Sequence, residues 1–411
     1  MNSTEIYQTK RSLITFLEKL TEGLSKPRKK FYSDILYGMS KAQNTLLSDI
    51  ARALEENIDL QYTIKRLSRN ASEENDLKEL HHNYLNGLRT SIPDNPLVIV
   101  DESEIVKPYA EKMEHLALVR DGSKNVLEKG YPTINFSMAT LKTKHPLPLY
   151  NHLYSSKEKD FHSQNIEIAK GFNTVTSFLG KKKATFVMDR GYDTNTIYEY
   201  VQDIGHHFIT RLKDNRYLLH RNRRVKVPDL AHRRKGKINF KTEIQGDEYK
   251  LKVSHIKVKL PVLKDSPLNM VVVYGYGEKP MKLLTNHSIN GKDDVLRILK
   301  SYITRWRIEE LFRVQKEEFQ LEKTRTMTVS SLRILYTLMN CLVGHYSLAI
   351  EKSNYHTQTV LARARPSNKR KKIKFYLYRF IRGISKILSF DTVGIRYFYK
   401  VEKRSNQLSL L

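Results

Sequence analysis

Two short apolar, β-branched runs each lead directly into an aspartate. Leu97–Val100 runs into Asp101, and the stretch ATFVMD runs into Asp189, 88 positions later. Runs of this length and composition read as buried strands. In open α/β sheets, ligands gather at the carboxyl ends of strands. A chain with two such strand tips, separated by helical and extended segments, is constrained to an α/β architecture in which the tips meet or stay apart.

The segments between and around them favour meeting. After Leu97–Val100 come two further strand candidates, HLALVRDGS with a turn at Asp121-Gly122, and YPTINFSMA over Tyr131–Ala139. A proline-bearing loop, HPLPLY, leads to the helical stretch NIEIAKGFNTVTSFLG. The linker Lys181–Lys183, the second strand tip, a helix over Thr194–Ile204 and the strand HFITRLK follow. Three strands, a helix, a strand, a helix and a strand is the order of an RNase H-like fold. In that fold the first and fourth strands lie side by side, which predicts that Asp101 and Asp189 are neighbours. An aspartate closing a strand is also a common turn residue or helix cap. Glu102, Glu104 and Asp193 stand close by as alternative ligands.

A third acid is expected from the helical stretch KSYITRWRIEELFRVQKEE, Lys300–Glu318, read as the interior of one long helix opening near Asn290. Tyr302, Arg305, Glu309 and Lys316 recur at steps of three, four and seven residues. At about 100° per residue these steps return to nearly one face. One edge then carries a phenol, a guanidinium, a carboxylate and an ammonium, where a charged solvent face is the common alternative.

Lysine and arginine number 72 against 44 acidic residues, a net charge of +28. That excess points to a polyanionic partner, most commonly nucleic acid. No apolar run approaches the roughly 18 residues of a membrane span, and the N-terminus lacks a signal-peptide layout. Cys341 is the only cysteine, which excludes intramolecular disulfides and fits a reducing cytoplasm.

The chain divides into five parts. Residues 1–93 read as helical, and SDIARALEENIDLQYTIKRLSR resembles a helix-turn-helix with its turn around Glu56–Asp59; plain helical packing is the equal alternative. SIPDNP is the break before the first part of the core, 94–210. Residues 211–282 form a β-rich insertion with 19 basic against 7 acidic residues, in which Arg221, Arg223 and Arg224 cluster. DNA contact is favoured there over a lysine-protected sheet edge. Residues 283–350 return to the core, and TVSSLRILYTLMNCLVGHYSLAI is apolar enough to be buried. Residues 351–411 form a basic C-terminal region. Within it, 363–384 holds nine basic residues and no acid, interleaved with Phe375, Tyr376, Tyr378 and Phe380. This suits phosphate contact, dimerisation or a partner helix.

The order Tyr-x2-Arg-x3-Glu-x6-Lys at Tyr302, Arg305, Glu309 and Lys316 resembles the signature of the DDE transposases of the insertion sequence 4 family. DESEIVKPYA is similar to that family's first aspartate block and MDRGYD to its second, and the blocks stand in the same order over about half of the chain. The resemblance implies that Asp101, Asp189 and Glu309 are the catalytic, metal-binding carboxylates. They would hold two Mg²⁺ ions, or Mn²⁺ in their place, with Asp101 bridging. Hard divalent ions take carboxylate oxygens and stabilise both the attacking and the leaving oxygen of a phosphodiester. Tyr302, Arg305 and Lys316 would hold phosphates of the DNA end.

The implied reaction is cut-and-paste transposition: hydrolysis at the transposon end, then attack of the freed 3′-hydroxyl on the other strand or on target DNA. The implied partners are double-stranded DNA, as terminal inverted repeats and target, and a second copy of the chain in a synaptic homodimer. The location would be the cytoplasm, on the nucleoid. Some relatives carry a tryptophan just before the Leu-Leu-Thr strand to hold a flipped base. Here Met281 stands at that position, a departure that leaves a hairpin intermediate open. Two alternatives remain: a non-catalytic DNA-binding derivative, and an RNase H-like nuclease that cuts without joining.

Overall fold

The computed structural model describes residues 3–122, 124–244, 246–364 and 376–395. Five helices open the chain: α1 (Ser3–Leu20), α2 (Lys26–Ala42), α3 (Leu47–Leu54), α4 (Leu60–Ala71) and α5 (Leu77–Leu88). The core follows as β1 (Leu97–Val106), β2 (Ala117–Asp121), β3 (Val126–Ala139), β4 (Pro146–Leu153), α6 (Gln164–Leu179), β5 (Thr185–Met188), α7 (Asn195–Asp203) and β6 (His207–Arg211). Next come β7 (Tyr217–His220), β8 (Arg223–Lys226), α8 (Val227–His232), β9 (Ile238–Ile244), β10 (Asp247–Leu260), β11 (Leu263–Tyr274) and β12 (Met281–Thr285). The chain then becomes helical through α9 (Lys292–Ile303), α10 (Arg307–Arg313), α11 (Val329–Lys352), α12 (Tyr355–Arg363) and α13 (Tyr376–Leu388). Of the basic tail 363–384, residues 365–375 lie outside the described residues, as do residues 396–411.

The fold is mixed α/β, built on one 12-stranded sheet ordered β2-β3-β1-β5-β6-β12-β11-β10-β7-β8, with β4 also on β3 and β9 on β10. β1, β5 and β6 are parallel neighbours, and β1–β3 and β3–β4 are antiparallel. β1 and β5 are apolar on both faces because both faces are covered: Val98, Ile99, Val100, Phe186, Val187 and Met188 are all buried. The strands of 211–282 extend this same sheet, since β11 pairs with β12 and β12 with β6.

Three local expectations are corrected. HPLPLY is a strand, β4, not a loop. Its prolines are tolerated because β4 is an edge strand, with Pro146 at its start and Pro148 beside a register shift. Asp101 does not end its strand: β1 continues to Val106 against β3, and only the parallel partner β5 stops at Met188. The helix around Glu309 is not one regular α-helix. A tight 3-10 turn over Thr304–Trp306 joins α9 to α10, and a wide π turn covers Val314–Glu318. The backbone stays helical throughout, so Arg305 and Lys316 both still reach β1, at Asp101 and Glu104.

The apolar α11 packs on β4 and on α2, α5 and α13, so the terminal helices share one hydrophobic core with the sheet. A Cβ at Gly344 of α11 would collide with the Tyr84 hydroxyl of α5, which donates to Pro148 O at 2.8 Å. That close approach locks α11, α5 and β4 together. Among the described residues no helix is long and apolar enough to cross a membrane.

Candidate active site

The last parallel pair of β1 and β5 is Val100 with Met188. The next residue after each is an aspartate, so strand register brings Asp101 and Asp189 side by side where β5 ends, in the interior of the sheet. Asp101 is largely buried, with its side chain 16% exposed. Its Oδ1 accepts from the Glu102 amide at 3.0 Å, and its Oδ2 accepts from Arg305 Nη1 at 2.6 Å. Burial pushes the Asp101 carboxyl up to about 7; the Arg305 guanidinium opposes that shift and the charge of Asp189 adds to it. Asp189 opens a 3-10 turn, and its Oδ1 accepts from the Gly191 amide at 2.6 Å.

Glu309 lies on α10, one turn past Arg305, and its Oε1 is 3.5 Å from Arg305 Nη2. The guanidinium therefore spans from Asp101 to Glu309. Tyr302 is 7% exposed on the last turn of α9. Burial raises its phenol above the ordinary range, against the nearby charges of Arg305 and Arg211 and together with that of Asp189. Tyr302, Arg305, Glu309 and the two aspartates thus form one electrostatic cluster. Lys316 has a different neighbourhood: in the π turn, its Nζ pairs with Glu104 at 2.7 Å and Glu322 at 3.3 Å.

Two of the alternative acids are engaged elsewhere, while Glu102 stays within the field of Asp189. Glu102 accepts from Gln164 Nε2 at 2.6 Å. Glu104 is held by Lys316. Asp193 accepts from Arg216 Nε at 2.9 Å, the Lys213 amide at 2.7 Å and the Tyr198 hydroxyl at 2.9 Å, an anchor that ties the start of the β7–β8 hairpin to the loop after β5.

Arg221, Arg223 and Arg224 lie on that hairpin. Arg221 and Asn222 both take positive φ, 50° and 60°, which fits a two-residue turn matched to strand twist. All three arginines are exposed. Arg224 stacks over Tyr217, 4.5 Å from its ring centre, and lines a cleft of about 660 Å³ with Lys213, Arg216 and Asn195.

Two features escaped sequence reasoning. Asn135, the register partner of Asp101 on β3, is fully buried; its Oδ1 accepts from Asn151 Nδ2 and from the Tyr336 hydroxyl, both at 2.6 Å. An asparagine inside the apolar strand TINFSM was the available signal. Tyr192 is buried three residues past Asp189, and among the described residues its hydroxyl has no hydrogen-bond partner. Burial, then the charges of Glu102, Asp101 and Asp189, hold that phenol neutral. Nothing in the sequence marked it beyond its position in MDRGYD.

Three carboxylates with hard oxygen donors have the chemistry that Mg²⁺ or Mn²⁺ takes. Among the described residues, however, no three His, Cys, Asp or Glu side chains are gathered as a metal cage. Arg305 stands between Asp101 and Glu309 instead.

Residues 142–343 match the family model of the transposase DDE domain. The match supports a DDE transposase. It takes in Asp189, Tyr302, Arg305, Glu309 and Lys316, while Asp101 lies ahead of it. No curated protein matches the chain. Among solved structures, the chain is similar to the cryo-EM structure of a piggyBac transposase synaptic complex with hairpin DNA. The TM-score is 0.50 at 9% identity, over 95% of this chain and 79% of that one. At that identity the likeness speaks for the fold.

Proposed function

We propose that the protein is a transposase of the insertion sequence 4 type that cuts and pastes its own element. The observation that carries this reading is the register of β1 against β5, which sets Asp101 beside Asp189, with Arg305 linking Asp101 to Glu309. Asp101, Asp189 and Glu309 would hold the divalent ions, Mg²⁺ or Mn²⁺. Bound there, such ions activate the attacking oxygen and offset charge on the leaving oxygen.

The chain's own residues do the rest. The backbone amides of Glu102 and Gly191 orient the two aspartates. Buried Asn135, held by Asn151 and Tyr336, packs a fixed polar layer next to Asp101. Tyr302 and Arg305 face the acids and are suited to a DNA-end phosphate, the guanidinium by its planar fork. Lys316 serves the same end once a phosphate competes with Glu104 and Glu322.

The cleft of Lys213, Arg216, Tyr217 and Arg224, with Arg221 and Arg223 beside it, suits a DNA backbone leaving the site, since it combines cations with an aromatic face. The hairpin α3–α4 suits duplex contact: α4 exposes Gln61, Tyr62, Lys65 and Arg69, and its start is capped by Asp59, which accepts from the Gln61 amide at 2.7 Å. The piggyBac structure is described as a synaptic complex with hairpin DNA, which supports DNA as the partner here; a homodimer would hold the two ends.

A strand-transfer assay with Mg²⁺ and the inverted repeats flanking the gene tests this reading. Joined product is the expected result. Cleavage without joining would assign a nuclease, and binding without cleavage a DNA-binding derivative.

A further inference from the structure

Arg305 holds the oxygens that a divalent ion needs. Its Nη1 lies 2.6 Å from Asp101 Oδ2, and its Nη2 lies 3.5 Å from Glu309 Oε1. The side chains of Arg305 and Asp101 are only 20% and 16% exposed, so this contact is shielded from solvent screening. A guanidinium does not lose its charge in a protein, so it cannot yield the position by deprotonating. A divalent ion on Asp101 Oδ2 would meet the Arg305 guanidinium at contact distance, so the two positive charges compete for that carboxylate. Among the described residues the acids are correspondingly not gathered as a metal cage. Arg305 itself lies in the tight turn Thr304–Trp306, between two α-helical segments.

Resting on the assignment of Asp101 and Glu309 as metal ligands, we infer that Arg305 occupies the cation position of the resting site and leaves it by exchange: the divalent ion takes the carboxylates and the guanidinium turns to a DNA phosphate. Metal and DNA ends then favour each other's binding. A phosphate that draws Arg305 away frees the carboxylates, and a metal that displaces Arg305 frees a phosphate ligand. The device withholds the hydrolytic site until a DNA end is present.

The test uses the full chain and Mn²⁺ alone, with no DNA. Free Mn²⁺ is counted by electron paramagnetic resonance across a titration. Arg305→Ala is expected to bind Mn²⁺ about tenfold more tightly than the wild type or better, because a cation is removed from the ligands. Arg305→Lys, which keeps the charge but not the fork, should fall between them. Adding Asp101→Asn to Arg305→Ala should erase the gain. In the wild type, saturating Mn²⁺ should speed modification of Arg305 by phenylglyoxal, read by peptide mass spectrometry.

Equal Mn²⁺ affinity in wild type and Arg305→Ala, with Asp101→Asn weakening both, overturns the exchange and leaves the carboxylate site intact. Tighter binding by Arg305→Ala with Arg305 reactivity indifferent to Mn²⁺ in the wild type also overturns it, since simple charge repulsion then suffices. Mn²⁺ binding that none of these substitutions alters removes the metal-site assignment itself and the exchange with it. The wild-type modification needs no variant to fold.

Discussion

Arg305 Nη1 lies 2.6 Å from Asp101 Oδ2 although the two residues are 204 positions apart. This pairing joins the start of the α9–α10 corner to the strand pair β1–β5. It makes the helix that carries Glu309 part of the same small volume as the two aspartates.

Asp101→Asn, Asp189→Asn and Glu309→Gln should each lower end cleavage by more than about a hundredfold, because each would remove one carboxylate of the proposed metal site while keeping shape. DNA binding should survive. Nicking and gel-shift assays on the same end duplex check both halves, and a variant that cuts at the wild-type rate removes that residue from the site.

Arg305→Ala has the opposite signature on DNA. Without the charge-assisted hydrogen bond proposed between Arg305 and a DNA phosphate, end binding should weaken by roughly ten- to a hundredfold. Arg305→Lys should recover part of that affinity. Binding isotherms at fixed ionic strength would show this, and unchanged affinity would assign Arg305 to the carboxylates alone.

Replacing Arg221, Arg223 and Arg224 together by alanine should weaken DNA binding uniformly across sequences. The slope of log K against log salt should fall by about 0.9 for each phosphate that the arginines no longer neutralise, so by up to about three. An unaltered slope would leave the β7–β8 hairpin off the DNA path.

Gly344→Ala should destabilise the fold by about 1–3 kcal/mol, since the new methyl meets the Tyr84 hydroxyl where α11 crosses α5. Tyr84→Phe should cost about 1 kcal/mol by removing the hydrogen bond to Pro148 O. Denaturant midpoints measure both, and the pair should be non-additive because the two changes touch at one atom.

Acid should weaken the fold through two histidines. Burial holds His345, stacked on Phe16 at 4.5 Å, down to about 4. Burial and then the neighbouring His207 hold His287 down to about 4. A depressed pKa contributes stability that is present above the unfolded value near 6.5 and is lost as pH falls towards 4, because the unfolded chain takes up the protons first. Thermal melts from pH 7 to pH 4 should show this decline, and His345→Gln should flatten it. An unchanged pH profile in that variant would exclude His345 as a contributor.

The sequence by itself marked the α/β class, the apolar runs leading into Asp101 and Asp189, and the basic, strand-rich stretch 211–282. These are matters of composition and short-range periodicity, which local physics dictates. It misread HPLPLY because proline argues against strand until an edge position is known. It misread the Glu309 helix because a uniform 100° step hides a change of pitch.

Only the tertiary structure decided which acids meet. Parallel register set Asp101 beside Asp189, ion pairs drew Glu104 and Asp193 away to Lys316 and Arg216, and the tight turn at Thr304–Trp306 delivered Arg305 between Asp101 and Glu309. Such choices depend on strand register and on competition among charges brought together by packing. Neither is a property of residues near one another along the chain.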